Sequence, residues 1–335
     1  MNEFQFNRAT TLAQAVQAGA KSSTAQLGAT VRFVAGGTNL VDLMKLQVEH
    51  PEQVVDINSL PLNKVERVSG GGLRIGALVR LNDVAADERV ARDWPVLREA
   101  IHKSASAQLR NLATIGANLL QKTRCAYFRS EEPVPCNRRT PGSGCAARNG
   151  HDDRHALFGW TDDCIATQPS DPAVALAALD ARVVTRSAGG GRRIPVIDFH
   201  VLPSDGVDRD TVLEPGELIE AIELDRPAPG SAYVKVRERE SYEFALVSAA
   251  ATVELGDAGR IESARIALGS VAMRPWRLTK AERLLSNLAP GDPAVTAAID
   301  AALAQAQPVP GSAYKLAIAR GAARRALMTA AGVGP

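Results

Sequence analysis

All four cysteines of this 335-residue chain lie between positions 125 and 164, as Cys125, Cys136, Cys145 and Cys164, with the spacing C-x10-C-x8-C-x18-C. Four thiols on one irregular stretch suit three chemistries. Disulfides fit poorly, because a chain with a large core and no secretory start has little need of them. Zinc sites usually show C-x2–4-C knuckles, and this stretch has none. A [4Fe–4S] cluster needs four thiolates converging on one centre, which a long loop can supply, although the spacing is not that of a ferredoxin. The cluster leads, with zinc and disulfides behind it. Arg124, Arg129, Arg138 and Arg139 crowd the same loop. Guanidinium groups beside a negatively charged cluster would stabilise it and raise its potential, unless they simply face solvent. His151 and His155 are expected at the surface.

The loop, residues 122–163, is rich in Arg, Pro, Gly and Asp and loses all hydrophobic periodicity. So long a structureless segment is unusual in a compact domain unless something holds it. Two turn-like segments bear on a second chemistry. In VRFVAGGTNL, a buried strand from Val31 breaks at Gly36-Gly37, and a helical run follows Thr38-Asn39-Leu40. Strand, glycines and helix start let backbone N–H groups from Ala35 to Leu40 cradle a phosphate. Taken alone, AGGT reads first as a tight turn between a strand and a helix. It is not GxGxxG, so a Rossmann site is not supported. In QLRNLATIGANLL, Gly116 permits close backbone approach, and Thr114 and Asn118 offer short polar side chains. Beyond the cysteines, Asp171-Pro172 opens the helix AVALAALD, with Asp171 as N-cap and proline at the first helical position.

These segments need elements to hold them. Thr10 or Thr11 caps a helix over residues 12–20, and Val54 to Leu60 reads as a strand completing a β-α-β unit with Val31. VERVSGGGLRIG and ARVVTRSAGGGRRIPV read as hairpins with glycine tips. Asn82 or Asp83 caps a helix that Pro95 interrupts. GELIEAIELD leads into a boundary at residues 226–230, where Pro-Ala-Pro-Gly follows a finished strand pattern. Beyond it come three antiparallel strands and several helices, with the helices on one face of the sheet. The formal net charge is +2, so charge favours neither nucleic acid nor an anionic membrane. No stretch approaches the ~20 apolar residues of a spanning helix, so no membrane insertion is expected. The start MNEFQFNRATTLAQ lacks a secretory pattern, so a soluble chain without its own export signal is expected.

FVAGGTNLVDLMK, QLRNLATIGANLL, CIATQPSDPAVALAALDA and SAYVKVRERESYEFALVSAA, in that order, resemble the FAD-binding medium subunit of the molybdenum hydroxylases, the xanthine dehydrogenase and carbon monoxide dehydrogenase family. The resemblance spans nearly the whole chain. The cysteine loop is similar to that in flavin subunits of periplasmic aldehyde oxidoreductases, with those of 4-hydroxybenzoyl-CoA reductases as the nearest alternative. The resemblance implies an α+β fold: a two-part, PCMH-like FAD-binding domain over residues 1–225, a [4Fe–4S] loop inserted at 122–165, and a C-terminal domain over 230–330. It places the FAD pyrophosphate on the backbone of Ala35, Gly36, Gly37, Thr38, Asn39 and Leu40, with further contacts at Thr114, Gly116 and Asn118. Asp171 would bind the adenosine end and Lys235 would reach the flavin. Cys125, Cys136, Cys145 and Cys164 would ligate the cluster.

The same resemblance implies electron transfer without a catalytic acid or base here. Substrate would be oxidised at a molybdenum cofactor on a large subunit, and electrons would pass through [2Fe–2S] centres on a small subunit to FAD and an external acceptor. Such a complex would be periplasmic, co-exported with a partner bearing a twin-arginine signal, or else cytoplasmic. The competing class is a self-contained FAD protein, or a binding protein, with a zinc-clamped loop.

Overall fold

The computed structural model describes residues 1–334. Its first unit is a parallel sheet of β1 (Gln5–Arg8), β2 (Val31–Val34) and β3 (Gln53–Asp56), ordered β1–β3–β2. Parallel neighbours require crossovers, supplied by α1 (Leu12–Gly19) after β1 and α2 (Leu40–Lys45) after β2. Thr11 caps α1, its side chain accepting from the Gln14 amide. Ala15 and Val16 of α1 pack with Val55, Leu60, Leu78 and Leu218.

The second unit is an antiparallel sheet ordered β4–β5–β8–β6–β7. Its strands are β4 (Val65–Arg67), β5 (Leu73–Gly76), β6 (Arg182–Arg186), β7 (Arg193–Pro195) and β8 (Leu218–Leu224). Both glycine-tipped hairpins form as the sequence suggests. The GELIEAIELD segment is more than a connector. As β8 it lies between β5 and β6 and is buried along almost its whole length, because LIEAIEL offers apolar groups to both faces of the sheet.

The region after β5 breaks into α3 (Leu81–Ala86), α4 (Glu88–Asp93) and α5 (Pro95–Lys103). Neither Asn82 nor Asp83 is a cap; both lie inside α3, which begins at Leu81 without a side-chain cap. Asn82 instead donates to Ala107 O at 3.1 Å. Asp87 caps α4, and Pro95 restarts the chain as the first residue of α5. Then come α6 (Ala107–Arg110), α7 (Ile115–Leu119), α8 (Asp171–Ala178) and α9 (Val196–Phe199). All eight residues of α8 are buried, as expected of a helix that is apolar all round. It stands between the second sheet and the C-terminal one.

That last sheet is antiparallel, β12–β11–β10–β9. Three long strands, β9 (Ser231–Val236), β10 (Val247–Leu255) and β11 (Ile261–Gly269), match the sequence expectation. The two-residue β12 (Trp276–Arg277) adds a fourth at the edge. Helices α10 (Thr279–Leu284), α11 (Pro293–Leu303) and α12 (Lys315–Ala330) complete the unit. α12 packs on β9 and β10, while α5 and α8 meet the same strands elsewhere. Helices pressed on both faces explain why β10 carries the small residues Ala249, Ala250 and Ala251, each fully buried. Among the described residues no helix is long and apolar enough to cross a membrane.

Candidate functional site

A cleft of about 450 Å³ separates the first two units. Its floor is the AGGTNL loop between β2 and α2 on one side and the loop entering α7 on the other. Ala35, Gly36, Gly37, Thr38, Asn39, Leu40, Thr114, Asn118 and Asp171 all line it. An adjoining cavity of about 180 Å³ shares Ala35, Asn39, Leu40 and Thr114 and adds Gly116 and Lys122. The structure thus gathers residues that lie up to 136 positions apart in the sequence onto one surface.

The two glycines of the first loop have separate tasks. A Cβ on Gly36 would stand 2.0 Å from Leu112 O, so only glycine lets the two loops meet. Gly37 has φ +72°, the left-handed region glycine tolerates. The meeting is braced from below: Asn58 Nδ2 donates to Ala35 O at 2.9 Å, Arg80 Nη2 to Asn58 Oδ1 at 2.8 Å, and Arg80 Nη1 to Leu112 O at 2.5 Å. Gly116 serves close packing: its Cβ would lie 2.7 Å from that of Ala77, and its amide donates to Ala77 O at 3.0 Å. Thr114 caps α7, accepting from the Ala117 amide, and Asn118 Oδ1 accepts from Ser170 Oγ at 2.5 Å.

What remains unpaired describes the ligand. The amides of Gly36, Gly37, Thr38 and Asn39 donate to no acceptor among the described residues. Asn39 Oδ1 accepts from the Lys122 amide, which leaves its buried Nδ2 without a partner. A row of amides and one carboxamide donor facing a cleft suits a diphosphate. The residues present therefore fit the phosphates of a dinucleotide.

Asp171 and Lys235, expected at opposite ends of that dinucleotide, are side by side. Lys235 Nζ donates to Asp171 Oδ2 at 2.8 Å and to Lys103 O at 3.0 Å, and Tyr233 Oη donates to Asp171 Oδ1 at 2.5 Å. Asp171 lines the cleft while Lys235 stands behind it. Burial pushes the Asp171 carboxyl up, against the pull of Lys235 and of the Tyr233 hydroxyl. Ser170, not Asp171, caps α8, its side chain accepting from the Ala173 amide; Asp171 is the first helical residue.

Sequence reasoning passed over the residues that close the cleft. Arg239, Tyr242 and Phe244, from the run after β9, lie across it with Arg124. Arg124 stacks 4.6 Å from the Phe244 ring centroid. Burial, helped by neighbouring Arg129, lowers its pKa to about 10. The aromatics of RESYEF, set among charges, were the available signal.

The cysteine loop has little regular structure: one short turn at Ala146–Asn149 and isolated bridges, including Cys136 to Cys145 and Thr161 to Cys164. Its folding is directed by side chains. Ser143 Oγ accepts from the Cys136 amide at 3.0 Å, and Asn137 Oδ1 from the Gly144 amide at 2.8 Å. All four cysteines are free thiols and line one small cavity of about 20 Å³. Backbone N–H groups of Tyr127 and Phe128 lie near the Cys125 sulfur, and that of Ala166 near the Cys164 sulfur. Burial pushes the Cys125 thiol up to about 12, and the neighbouring Cys164 and Cys136 add to the effect while those amides oppose it.

Among the described residues no three His, Cys, Asp or Glu side chains are grouped as for a single metal ion. A multi-iron cluster makes a different demand, because its thiolates surround a core several atoms wide. Four thiols lining one cavity fit that group. His151 is exposed as expected, but His155 is buried, its Nε2 3.3 Å from the Cys125 sulfur. Of residues 151–155 only His155 is buried, and its carbonyl accepts from Lys315 Nζ at 2.8 Å.

A two-loop cleft that suits a dinucleotide diphosphate, closed by residues of a separate mixed α/β domain, defines a dinucleotide-binding protein. Residues 2–227 match the FAD binding domain in molybdopterin dehydrogenase, and residues 232–330 match the CO dehydrogenase flavoprotein C-terminal domain. The chain is 46% identical to the aldehyde oxidoreductase FAD-binding subunit PaoB of Escherichia coli (strain K12), over 96% of both chains. It is 29% identical to the carbon monoxide dehydrogenase medium chain of Hydrogenophaga pseudoflava, over 91% of each. Among solved structures, Cu,Mo-CO dehydrogenase superposes with a TM-score of 0.76 at 24% identity, covering 99% of this chain and 98% of that one. The carbon monoxide dehydrogenase of Hydrogenophaga pseudoflava lacking the Mo-pyranopterin moiety gives 0.75 at 26% identity, covering 98% and 97%. The chain belongs to the FAD-binding subunits of the molybdenum hydroxylase family.

Proposed function

We propose that this chain is the FAD and [4Fe–4S] electron-transfer subunit of a molybdenum-dependent aldehyde oxidoreductase. It would work beside a large subunit carrying the molybdenum cofactor and a small [2Fe–2S] subunit. The 46% identity to an aldehyde oxidoreductase subunit supports the aldehyde class. Bound FAD supplies an acceptor for electrons arriving from the [2Fe–2S] partner and a donor to an external oxidant.

The chain's own residues bind and position. The Gly36–Asn39 amides and Asn39 Nδ2 hold the diphosphate, with Thr114, Gly116 and Asn118 forming the facing wall. Asp171, backed by Lys235, lies at the end of the cleft that Tyr242 and Phe244 cover. Cys125, Cys136, Cys145 and Cys164 ligate the cluster. One observation carries the pairing of the two groups: Arg124 lines the flavin cleft and the adjacent Cys125 lines the thiol cavity. Neighbouring Cα atoms are only ~3.8 Å apart, so the two sites share a wall.

Metal and acid-labile sulfide content of anaerobically purified protein, with an absorption spectrum, tests the reading. About four irons and four sulfides per chain alongside flavin bands are expected. Zinc without sulfide would leave the flavin site standing and make the loop a structural clip.

A further inference from the structure

Four of the six arginines of the cysteine loop, Arg124, Arg129, Arg138 and Arg139, have different fates. Arg124 faces the cleft, Arg129 pairs with Asp42, and Arg139 donates to Ser130 O at 2.6 Å and Gln47 O at 3.2 Å. Arg138 alone turns toward the sulfurs and lines the thiol cavity. It is buried, with its Nη2 held by Asp210 and by Arg209 O at 3.3 Å. Its Nη1 is also buried and has no oxygen or nitrogen acceptor among the described residues; on that side the guanidinium faces only the Cys164 sulfur, with Cys136 nearby.

Asp210 is shared. Its second oxygen pairs with Lys122, and the Lys122 Nζ lies 4.0 Å from Glu49 Oε1. Asp210, Lys122 and Glu49 are all buried. A buried guanidinium donor that faces only a thiol sulfur, a weak acceptor, is poorly satisfied. Beside four thiols, what would satisfy it is an anionic metal–sulfur group.

We propose that Arg138, oriented by Asp210, is a positioning and charge-setting residue that fixes the reduction potential of the iron–sulfur group in this loop. The inference rests on the [4Fe–4S] reading above. A buried positive charge favours the state carrying one more electron, so Arg138 raises the potential, and Asp210 partly offsets it. The two residues must therefore act with opposite signs.

The test is an EPR-monitored redox titration of the full chain, anaerobically purified, as wild type, Arg138→Gln, Arg138→Lys and Asp210→Asn, with iron and sulfide assayed in each. Arg138→Gln should lower the potential by at least tenfold in the reduction equilibrium, about 59 mV for a one-electron couple. Arg138→Lys should keep it within half that shift, and Asp210→Asn should raise it. An unchanged potential in an iron-replete Arg138→Gln protein overturns the proposal. So does a shift of the same sign in Arg138→Gln and Asp210→Asn, which would mark altered packing. Should Arg138→Gln lose its iron, Arg138→Lys and Asp210→Asn decide alone; loss of iron in these too makes Arg138 a structural strut and also overturns it. Wild-type protein without iron and sulfide would instead refute the cluster reading, before any variant is compared.

Discussion

Replacing Gly36 by alanine is the sharpest probe of the cleft. The added Cβ would stand 2.0 Å from Leu112 O and 2.5 Å from Leu112 C, against 3.4 Å and beyond for ordinary contact. Both struck atoms are backbone, so no side-chain rotation relieves the clash, and the loops must part by more than 1 Å. The ties from Arg80 to Leu112 O and from Asn58 to Ala35 O oppose that movement. Overpacking of this kind costs about 1–3 kcal/mol. Placed on the bound geometry, that cost raises the FAD dissociation constant about 5- to 150-fold. Titration of apoprotein with FAD, followed by quenching of flavin fluorescence, measures it, with thermal unfolding run in parallel. Gly259→Ala is the control: it has φ +66° and no atom within 4 Å of a Cβ, far from the cleft. It should lose stability by about 1–2 kcal/mol from left-handed strain and bind FAD normally. A Gly36→Ala protein binding FAD within twofold of wild type would show that the loop contact does not shape the flavin site.

Two further outcomes follow from buried charges. Lys235→Met leaves Asp171 with only the Tyr233 hydroxyl, and breaking a buried pair costs about 3–5 kcal/mol; denaturant unfolding should show this loss, and the double variant Lys235→Met with Asp171→Asn should recover part of it. Lys315 is buried against His155 O and Ser270 O, 2.8 and 2.6 Å away, and burial lowers its pKa to about 7. The unfolded chain then binds the extra proton between pH 7 and the ordinary lysine value near 10.5. Stability of wild type relative to Lys315→Met should accordingly rise with pH across that window and level off below it; a flat difference in unfolding free energy from pH 7 to 10 would refute this.

Much of the local structure was legible in the sequence. The Thr11 cap, both glycine-tipped hairpins, the Gly36-Gly37 break after a strand and the three long C-terminal strands each depend on residues close together in the chain. Backbone conformation and side-chain alternation carry such information directly. The four cysteines announced a shared site through composition alone. Tertiary structure decided what depends on contacts between distant residues. It made LIEAIEL a central strand by supplying neighbours on both sides. It set Asp171 against Lys235, 64 residues away, where sequence placed them at opposite ends of the ligand. It buried His155 beside Lys315 and singled out Arg138 among the six arginines of the loop through Asp210, 72 residues on. Long-range partners are chosen by burial and charge together: a buried ionic group must find its counter-charge wherever the fold brings one, and no local spacing encodes where that is.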